Sequence, residues 1–298
     1  MVLPEKVTII EVGPRDGLQN EDNFVDTETK KEFIGKLELA GILEMEITSF
    51  VSPKWVPQMR DAVSIVTSRP KGIRSIALVP NRKGMEKLLE TDCKNIAVFV
   101  GVSDSFNRKN INKSTRNSME ELIPMIAGLK AKGFFVRACI STAFYCPYEG
   151  KVSIVDTVKL CSEFAAVGVD ELSVADTIGM ATPVESFILF SELKKELPFV
   201  MIAAHFHDTR KMALANIYAS LQAGIDRFDS SAGGIGGCPF APGSSGNVAT
   251  EDVVYMLERM GIETGIDLDK LVDAIDVIAP HLSREIDSGY YRLSKVKL

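Results

Sequence analysis

The sequence has few features of a membrane, secreted or nucleic-acid-binding protein. No apolar run approaches the roughly 18 residues that a membrane-spanning helix needs, and the five cysteines are odd in number and lack CxxC spacing. Lysine and arginine are scattered along a chain of net charge −6, so no basic stripe is available to neutralise a nucleic-acid backbone. We therefore expect a soluble, cytoplasmic protein with reduced thiols, and neither a membrane nor a nucleic acid as partner.

The composition fits one large globular unit. Hydrophobic residues make up 46% of the chain and charged residues 25%, which is close to the globular average and allows a sizeable core. The first residues, MVLPEKVTIIEVGPRDG, have no extended apolar segment after a basic start and run directly into a predicted strand. We therefore expect no leader segment before the fold.

Short β-branched runs alternate with amphipathic segments almost from end to end, which is typical of parallel βα units. The strands are predicted at 7–12, 43–49, 73–79, 95–102, 134–142, 169–175, 200–206 and 225–231. The helices are predicted at 27–40, 55–68, 82–91, 118–132, 153–167, 182–196, 209–223, 249–260 and 267–280. Eight strands favour a closed barrel over an open doubly wound sheet, so the sequence predicts an α/β protein with a (β/α)8 TIM barrel and an additional C-terminal helix. We expect a single catalytic domain over 1–298, with a helical extension at about 262–298.

In such a barrel the functional residues lie at the carboxyl ends of the strands and in the loops that follow them. His205 and His207 stand two residues apart at the end of the seventh predicted strand, so both face the barrel mouth while Phe206 points outward to the helices. A lone histidine is more often a hydrogen-bonded core residue. Two of the chain's three histidines on one strand end instead favour metal binding, because both rings would otherwise be buried polar groups in need of partners.

Two further residues can complete a metal site. Asp16 follows the first predicted strand and offers a carboxylate, and Asn247, just before the eighth barrel helix, offers an amide oxygen. A mixed set of oxygen and nitrogen ligands without a thiolate suits a divalent cation, Mg²⁺ or Mn²⁺. The alternatives are that Asp16 is only a turn residue and that Asn247 is a helix N-cap.

Four residues near the mouth have side chains suited to charge or proton-transfer chemistry. Arg15 would place a planar cation near a developing oxyanion. The alternative interpretation is that Arg15 only forms a surface salt bridge. Glu46 and Asp176 end two strands and are candidates for a base or for orienting a neighbour. Cys238 lies in AGGIGGCPFAPGSSGN, whose glycines indicate a loop that closes over the site and brings a thiol to the reacting carbon. The alternative for Cys238 is an inert buried thiol.

Together with these residues, longer motifs resemble the 3-hydroxy-3-methylglutaryl-CoA (HMG-CoA) lyase family, within a wider group of metal-dependent barrels. The wider group shares the RDG-x-Q and HxHD features, whereas the glycine-cysteine loop with GN-x-ATED and the SFVSPKWVPQM segment are similar to the lyases. The resemblance covers nearly the whole chain. Its most specific segments are VGPRDGLQNE (12–21), TSFVSPKWVPQM (48–59), CPYEGK (146–151), DTIG (176–179), HFHDT (205–209) and GGIGGCPFAPGSSGNVATEDVVYML (233–257).

The resemblance implies a barrel enzyme, a carbon–carbon lyase that cleaves (S)-HMG-CoA to acetyl-CoA and acetoacetate with the help of a divalent metal. The implied metal ligands are Asp16, His205, His207 and Asn247. The resemblance implies two residues with direct catalytic roles: Arg15 stabilises the product enolate, and Cys238 carries a proton. It also implies catalytic roles for Glu46 and Asp176, within a supporting polar network. We expect the acyl-CoA substrate to be bound by Arg15, Gln19, Ser49, Arg137, Ser173 and Thr177. The candidates for contacts with its coenzyme A part are Lys109, Asn110 and Arg137. A cytoplasmic homodimer of bacterial type is the expected form.

Two other functions stay open from the sequence. One is a different enzyme with the same metal site, an acyl-CoA-dependent synthase or a hydroxy-oxo-acid aldolase, which is not expected to retain the cysteine loop. The other is a metal-binding barrel without catalysis that acts as a regulatory or ligand-binding protein. The presence of Arg15, Cys238 and all four ligand residues disfavours the second function.

Overall fold

The computed structural model describes residues 3–237 and 246–296. Its strands are β1 (Thr8–Glu11), β2 (Glu44–Ser49), β3 (Arg74–Leu78), β4 (Asn95–Gly101), β5 (Phe135–Ser141), β6 (Tyr145–Cys146), β7 (Gly150–Lys151), β8 (Glu171–Asp176), β9 (Met201–Phe206) and β10 (Arg227–Ser230). Eight of them form a closed parallel barrel in the order β1-β10-β9-β8-β5-β4-β3-β2. β6 and β7 pair separately as a small antiparallel hairpin. The barrel and its eight predicted strands are confirmed.

Helices surround the barrel and follow its strands. They are α1 (Thr27–Leu39), α2 (Ala62–Ser68), α3 (Arg82–Leu89), α4 (Asp104–Ile111), α5 (Thr115–Lys130), α6 (Ile154–Ala166), α7 (Pro183–Glu196), α8 (Ala213–Gln222), α9 (Thr250–Arg259), α10 (Leu268–Ile278) and α11 (Gly289–Ser294). α10 is the predicted C-terminal helix, and α11, for which no separate bounds were predicted, lies within the predicted helical extension at about 262–298. In the described part of the chain, no helix combines the length and the apolar character needed to cross a membrane.

The start of α7 follows directly from its sequence. Thr182 precedes Pro183, whose fixed φ suits the first turn of a helix. The Thr182 hydroxyl accepts the Glu185 N–H at 3.3 Å, and the Glu185 carboxylate accepts the Thr182 N–H at 3.0 Å, which forms a reciprocal capping box. The predicted start of this helix is confirmed.

α8 begins four residues later than predicted. The side chain of Asp208 accepts the N–H of Ala213 at 3.1 Å, and Lys211 between them has a left-handed backbone with φ of +55°. The chain therefore makes a turn after His207 before it enters the helix. A left-handed lysine has no clear sequence signal, because it is the tertiary packing that selects this conformation.

Lys109 and Asn110, two of the candidates for coenzyme A contacts, lie on α4, a helix that the sequence analysis did not predict. The hydroxyl of Ser103 accepts the N–H of Phe106 at 3.2 Å and caps this short helix, which ends at the left-handed Asn112. α2 is also shorter than predicted and begins at Ala62, after a 3-10 turn.

The barrel interior has an apolar side and a charged side. Residues of β3 and β4 form a small apolar cluster, while ion pairs join β2, β5, β8 and β10. The pairs run from the amino ends of the strands towards the mouth as Glu44–Arg227 (2.6 Å), Arg227–Glu171 (2.9 Å), Glu171–Arg137 (3.5 Å), Arg137–Glu46 (2.8 Å) and Arg137–Asp229. The charges alternate in sign because a buried ion is tolerated only beside an opposite charge.

Glu251, at the start of α9, is a buried carboxylate outside this network. The side chain of Glu251 is fully buried and accepts the N–H of Gly233 at 3.0 Å. Burial raises the pKa of Glu251 to about 7, more than the hydrogen bonds from its neighbours lower it. The folded protein therefore holds a proton on Glu251 at pH values where the unfolded chain has lost it.

The raised pKa of Glu251 predicts a specific dependence of stability on pH. Below pH 4.5, the ordinary pKa of a glutamate, the carboxyl is protonated in both states, and between pH 4.5 and about 7 rising pH favours the unfolded chain. We expect this group alone to lower the free energy of unfolding by about 3 kcal/mol across that window. The glutamine in Glu251→Gln does not titrate. Between pH 4.5 and 8, the free energy of unfolding of this variant, measured by urea denaturation, should therefore fall by about 3 kcal/mol less than that of the wild type. Parallel pH profiles for the two proteins would contradict the prediction.

Candidate functional site

A tight turn after β1 brings two predicted site residues to the mouth. Residues Gly13–Gly17 form one π-helical turn, in which the carbonyl of Val12 accepts the N–H groups of Arg15, Asp16 and Gly17 at 2.7 to 3.2 Å. π-helical turns are rare in proteins, and those that occur are often found at functional sites. The turn directs the side chains of Arg15 and Asp16 towards each other and towards β9.

The two histidines lie at the end of β9 as predicted. Their ring centroids are 5.2 Å apart, and both side chains are buried. Phe206 between them points to the other side of the sheet, where it packs against Phe144 and Phe190 with centroid distances of 6.2 and 6.1 Å. The alternation along the strand therefore places the imidazoles inside and the aromatic ring outside.

Asp16, His205 and His207 form one cluster. One potential ligand atom from each residue lies within 4.8 Å of the others, and the His207 Nε2 atom is 4.0 Å from an Asp16 oxygen. His205 uses its other ring nitrogen, Nδ1, in a 3.0 Å hydrogen bond with the carboxylate of Asp229. A histidine held by a carboxylate in this way keeps its second nitrogen oriented for a metal.

Asn247 joins the cluster from the segment before α9. Its backbone bridges that of His207, and its side-chain NH₂ group donates to Asp16 at 2.9 Å and to the carbonyl of Ile235 at 3.2 Å. Because the nitrogen is used twice, the amide oxygen is the atom left for a ligand. The N-cap of α9 is Ala249 and not Asn247, so the alternative interpretation of Asn247 is wrong.

The electrostatics of the cluster keep Asp16 ionised. Burial by itself would raise the pKa of Asp16, but Arg15, the two histidines and the Asn247 amide together lower it to about 2. Burial and the neighbouring His205 lower the pKa of His207 to about 4, so this ring is neutral at neutral pH. A carboxylate beside a neutral imidazole has the protonation that metal ligands require.

The chemistry of the site fits a divalent cation. Within residues 3–237 and 246–296, the buried Nδ1 atom of His207 has no hydrogen-bond partner, which is unusual for a buried polar atom. Carboxylate and amide oxygens are ligands that Mg²⁺ and Mn²⁺ prefer, imidazole nitrogens bind divalent transition metals, and the cluster of Asp16, His205 and His207 includes no thiolate. The cluster is therefore a possible metal site, at the end of the barrel that the sequence predicted.

Arg15 is held rigidly beside this cluster. Its Nε atom donates to Glu46 at 2.7 Å and its Nη1 atom to Asp16 at 2.6 Å, and the residue is 8% exposed. Burial lowers the pKa of Arg15, but the charges of Glu46 and Asp16 more than reverse this effect, so the guanidinium stays charged. The salt bridges of Arg15 are thus buried at the mouth and not on the surface.

Other predicted site residues lie around the mouth in supporting contacts. Both oxygens of the buried Asp176 accept backbone N–H groups of the following turn at 2.9 Å, and burial raises the pKa of Asp176 to about 6. The hydroxyl of Thr177 accepts the N–H of Thr142 at 2.7 Å. Ser49 is buried at the end of β2, and Gln19 lies half-buried in the 3-10 turn after the Arg15 turn.

Arg137 and Ser173, which were predicted to contact substrate, lie inside the barrel below its mouth. Arg137 is fully buried among Glu46, Glu171 and Asp229. The hydroxyl of Ser173 donates to Asp229 at 2.7 Å. Their surroundings favour a role in holding Glu46 and Asp229, so a direct contact of either residue with substrate stays a prediction. Cys238 lies outside the described residues.

Asp229 is the site residue that the sequence analysis missed. It accepts hydrogen bonds from Arg137, His205 and Ser173. Burial by itself would raise the pKa of Asp229, but these three partners hold it well below the usual range. Its signal was present, because Arg227 and Asp229 alternate with the apolar Phe228 on a buried strand. Two charged residues facing the barrel interior predict partners of opposite charge there.

Comparison with known proteins agrees with this site. The model of the HMGL-like family matches residues 6–278. The chain is 47% identical to the hydroxymethylglutaryl-CoA lyase YngG of Bacillus subtilis (strain 168), over 99% of both chains. The structure superposes on a crystal structure of the B. subtilis HMG-CoA lyase with a TM-score of 0.96, at 46% identity and covering 99% of this chain and 100% of that one.

A further structure is of an HMG-CoA lyase from Acinetobacter baumannii in complex with coenzyme A and 3-methylmalate. It is 34% identical, covers 100% of this chain and 98% of its own, and has a TM-score of 0.92. The family match spans most of the chain, and relatives of this similarity cover nearly all of it. This chain belongs to the HMGL-like family, the family of the HMG-CoA lyases.

Proposed function

We propose that this chain is an HMG-CoA lyase, which cleaves (S)-HMG-CoA to acetyl-CoA and acetoacetate. The observation that carries the proposal is the position of the Arg15 guanidinium, directly beside the cluster of Asp16, His205 and His207. The pair combines a fixed cation with a possible metal site at one barrel mouth. The names of the relatives, at up to 47% identity over 99% of the chain, support the same reaction.

The metal of this site is proposed to be Mg²⁺ or Mn²⁺, held by Asp16, His205, His207 and Asn247. Such a cation supplies Lewis acidity towards substrate oxygen atoms when it is bound. Asp229 and Arg15 orient two of these ligands through their hydrogen bonds to His205 and Asp16. Oriented ligands keep the site ready before substrate arrives.

The reaction is a retro-Claisen cleavage. The hydroxyl on C3 of HMG-CoA loses its proton, the C2–C3 bond breaks, and C3 becomes the ketone carbon of acetoacetate. The bonding electrons pass to the thioester carbon–oxygen unit as an enolate, and a proton added at C2 then gives acetyl-CoA. The chain must therefore accept one proton, stabilise one oxyanion and deliver one proton.

Arg15 is the residue that stabilises the enolate oxygen. Its contacts with Glu46 and Asp16 occupy part of the guanidinium and fix its plane, and further N–H groups are available to a bound substrate. Because the donor is fixed in a buried site, it does not have to reorganise when charge develops, which makes such a contact effective in catalysis. Glu46 is in turn held by Arg137 at 2.8 Å.

Proton transfer is assigned to two residues. Asp176 is our candidate to accept the hydroxyl proton, because a pKa of about 6 allows a carboxylate to take up and release a proton near neutral pH. Cys238 is proposed as the carrier that protonates C2. The A. baumannii structure, which holds coenzyme A, supports an acyl-CoA substrate. The homodimer and the cytoplasmic location stay predictions.

One assay tests the function. Purified protein with Mg²⁺ and HMG-CoA should produce acetoacetate, EDTA should abolish the activity, and added Mg²⁺ or Mn²⁺ should restore it, because the Asp16 cluster needs the cation. Absence of acetoacetate with the metal-loaded protein would refute the assignment as a lyase. Activity on other acyl-CoA or hydroxy-oxo-acid substrates would then point to a synthase or an aldolase.

A further inference from the structure

Glu11 is a buried carboxylate on the outer side of the barrel wall. It is the last residue of β1, and its neighbours Ile10 and Val12 pack with Ala203 in the barrel interior. Because side chains alternate along a strand, Glu11 points the other way, between the barrel and its helices. It is fully buried, and within the described part of the chain it forms no ion pair with a lysine or an arginine.

The carboxylate of Glu11 holds three separate segments. It accepts the N–H of Gly13 at 2.7 Å, the N–H of Ala232 at 3.0 Å and the hydroxyl of Thr250 at 2.7 Å. A buried carboxylate without a cationic partner must be solvated by such donors. Each donor comes from a different part of the chain, up to 239 residues away.

Each of the three segments carries a residue of the proposed active site. Gly13 opens the π-helical turn that presents Arg15 and Asp16. Ala232 begins the segment that leads to the glycine-cysteine loop, and Thr250 is the first residue of α9, three positions after Asn247. Glu11 touches none of the proposed ligand side chains. It contacts the backbone N–H groups of Gly13 and Ala232 and the hydroxyl of Thr250, in the segments that support those ligands.

The same segments are packed so closely that glycine is required where they meet. A Cβ atom on Gly17 would lie 2.6 Å from the side chain of Ile235, and one on Gly13 would lie 2.6 Å from a Glu11 oxygen. The side chain of Asn20 also donates to the carbonyl of Gly237 at 2.7 Å. The turn after β1 and the segment after β10 are therefore packed directly against each other, and Glu11 contacts both.

We infer that Glu11 is a positioning residue of the active site, which fixes the metal-binding and cation-bearing segments relative to one another. This inference rests on the proposed function for its kinetic consequence, but its effect on metal binding does not. The carboxylate sets the distance between the Asp16 turn and the Asn247 segment through backbone and hydroxyl donors. Losing it should loosen both sides of the metal site.

The test replaces Glu11 by Met, which has a similar length and leaves the three donors without an acceptor. We expect the Mn²⁺ dissociation constant of the substrate-free protein to rise about 10- to 100-fold, and kcat for HMG-CoA to fall by a similar factor. Glu11→Gln should rescue most of both losses, because its amide oxygen accepts the two N–H groups and its NH₂ group can donate to Thr250. Calorimetric Mn²⁺ titration and steady-state kinetics measure the two effects.

A matched control separates positioning from general stability. Asp170 accepts a backbone N–H at 2.7 Å and pairs with Lys130, but it lies just before β8 at the opposite end of the barrel. Asp170→Ala should lower the melting temperature and leave the Mn²⁺ dissociation constant within about twofold of the wild-type value. Equal effects of the Asp170 and Glu11 variants on Mn²⁺ binding would overturn the inference, as would a folded Glu11→Met protein with wild-type Mn²⁺ affinity.

Thr250 provides a second test if Glu11→Met does not fold. Thr250→Val removes one donor to Glu11 and should raise the Mn²⁺ dissociation constant, whereas Thr250→Ser keeps the hydroxyl and should not. Equal Mn²⁺ affinity in the two variants would count against Glu11. If the wild-type protein failed to cleave HMG-CoA but the Mn²⁺ results held, the proposed function would fail and the positioning role would stand.

Discussion

Arg15→Gln is expected to lower kcat for HMG-CoA cleavage by about 10²- to 10³-fold, the usual cost of removing a fixed donor to a developing oxyanion. The glutamine side chain is shorter and neutral, so it cannot maintain the contacts of Arg15 with Glu46 and Asp16 while facing the substrate. The histidines and Asn247 remain in place, so Mn²⁺ should still bind. Steady-state kinetics and Mn²⁺ titration of the same preparation measure both properties.

Two control variants make the Arg15 result specific. Arg15→Lys keeps the charge but loses the planar fork, so we expect an activity between those of the wild type and Arg15→Gln. Arg82→Gln makes the same chemical change at a side chain that is 85% exposed and that pairs with Glu86 on the surface, and it should leave kcat unchanged. Near-wild-type turnover of Arg15→Gln would remove the proposed enolate role of this residue.

Arg137→Met should produce the largest loss of stability of any substitution discussed. Arg137 is fully buried and faces Glu46, Glu171 and Asp229, so its removal leaves three buried carboxylates without their shared cation. Breaking one buried ion pair costs about 3–5 kcal/mol, and we expect at least that loss in the free energy of unfolding. Urea denaturation followed by circular dichroism measures it.

The matched comparison for Arg137 is Lys130→Met. Lys130 pairs with Asp170 on a partly exposed surface, where the side chains are 27% and 30% exposed. Water screens such a pair, so its loss should cost about 1 kcal/mol or less. Similar losses for the two variants would mean that the barrel network does not stabilise the fold through Arg137.

The positions of the strands and of the histidines were accessible to sequence reasoning because both depend on local regularities. A strand's side chains alternate, so the spacing of His205 and His207 places both on one face and Phe206 on the other. The predicted barrel turns the histidine face towards the mouth, and the outward packing of Phe206 confirms this. The barrel then predicts that the end of β9 and the turn after β1 meet at one mouth. The cluster of Asp16, His205 and His207 is in agreement.

The partners of the buried charges were not accessible in this way. Glu46 and Arg137 are 91 positions apart, and nothing in either local segment names the other. The position of Arg137 on a strand made a substrate contact plausible, but it did not reveal the depth in the barrel that gives Arg137 its three carboxylate partners. Depth along a strand depends on the stagger of its neighbours, which a single sequence does not reveal.

Sequence alone thus determined the barrel, the end of it that carries chemistry and the residue types of a metal site beside an arginine, because propensity and alternation act over a few residues. Only the tertiary structure decided which groups hold those residues in place. Asp229 orients His205, Glu46 fixes Arg15, and Glu11 joins the turn after β1 to the segments around Asn247. These contacts join distant strands, and a buried charge takes whichever partners the closed barrel brings within reach.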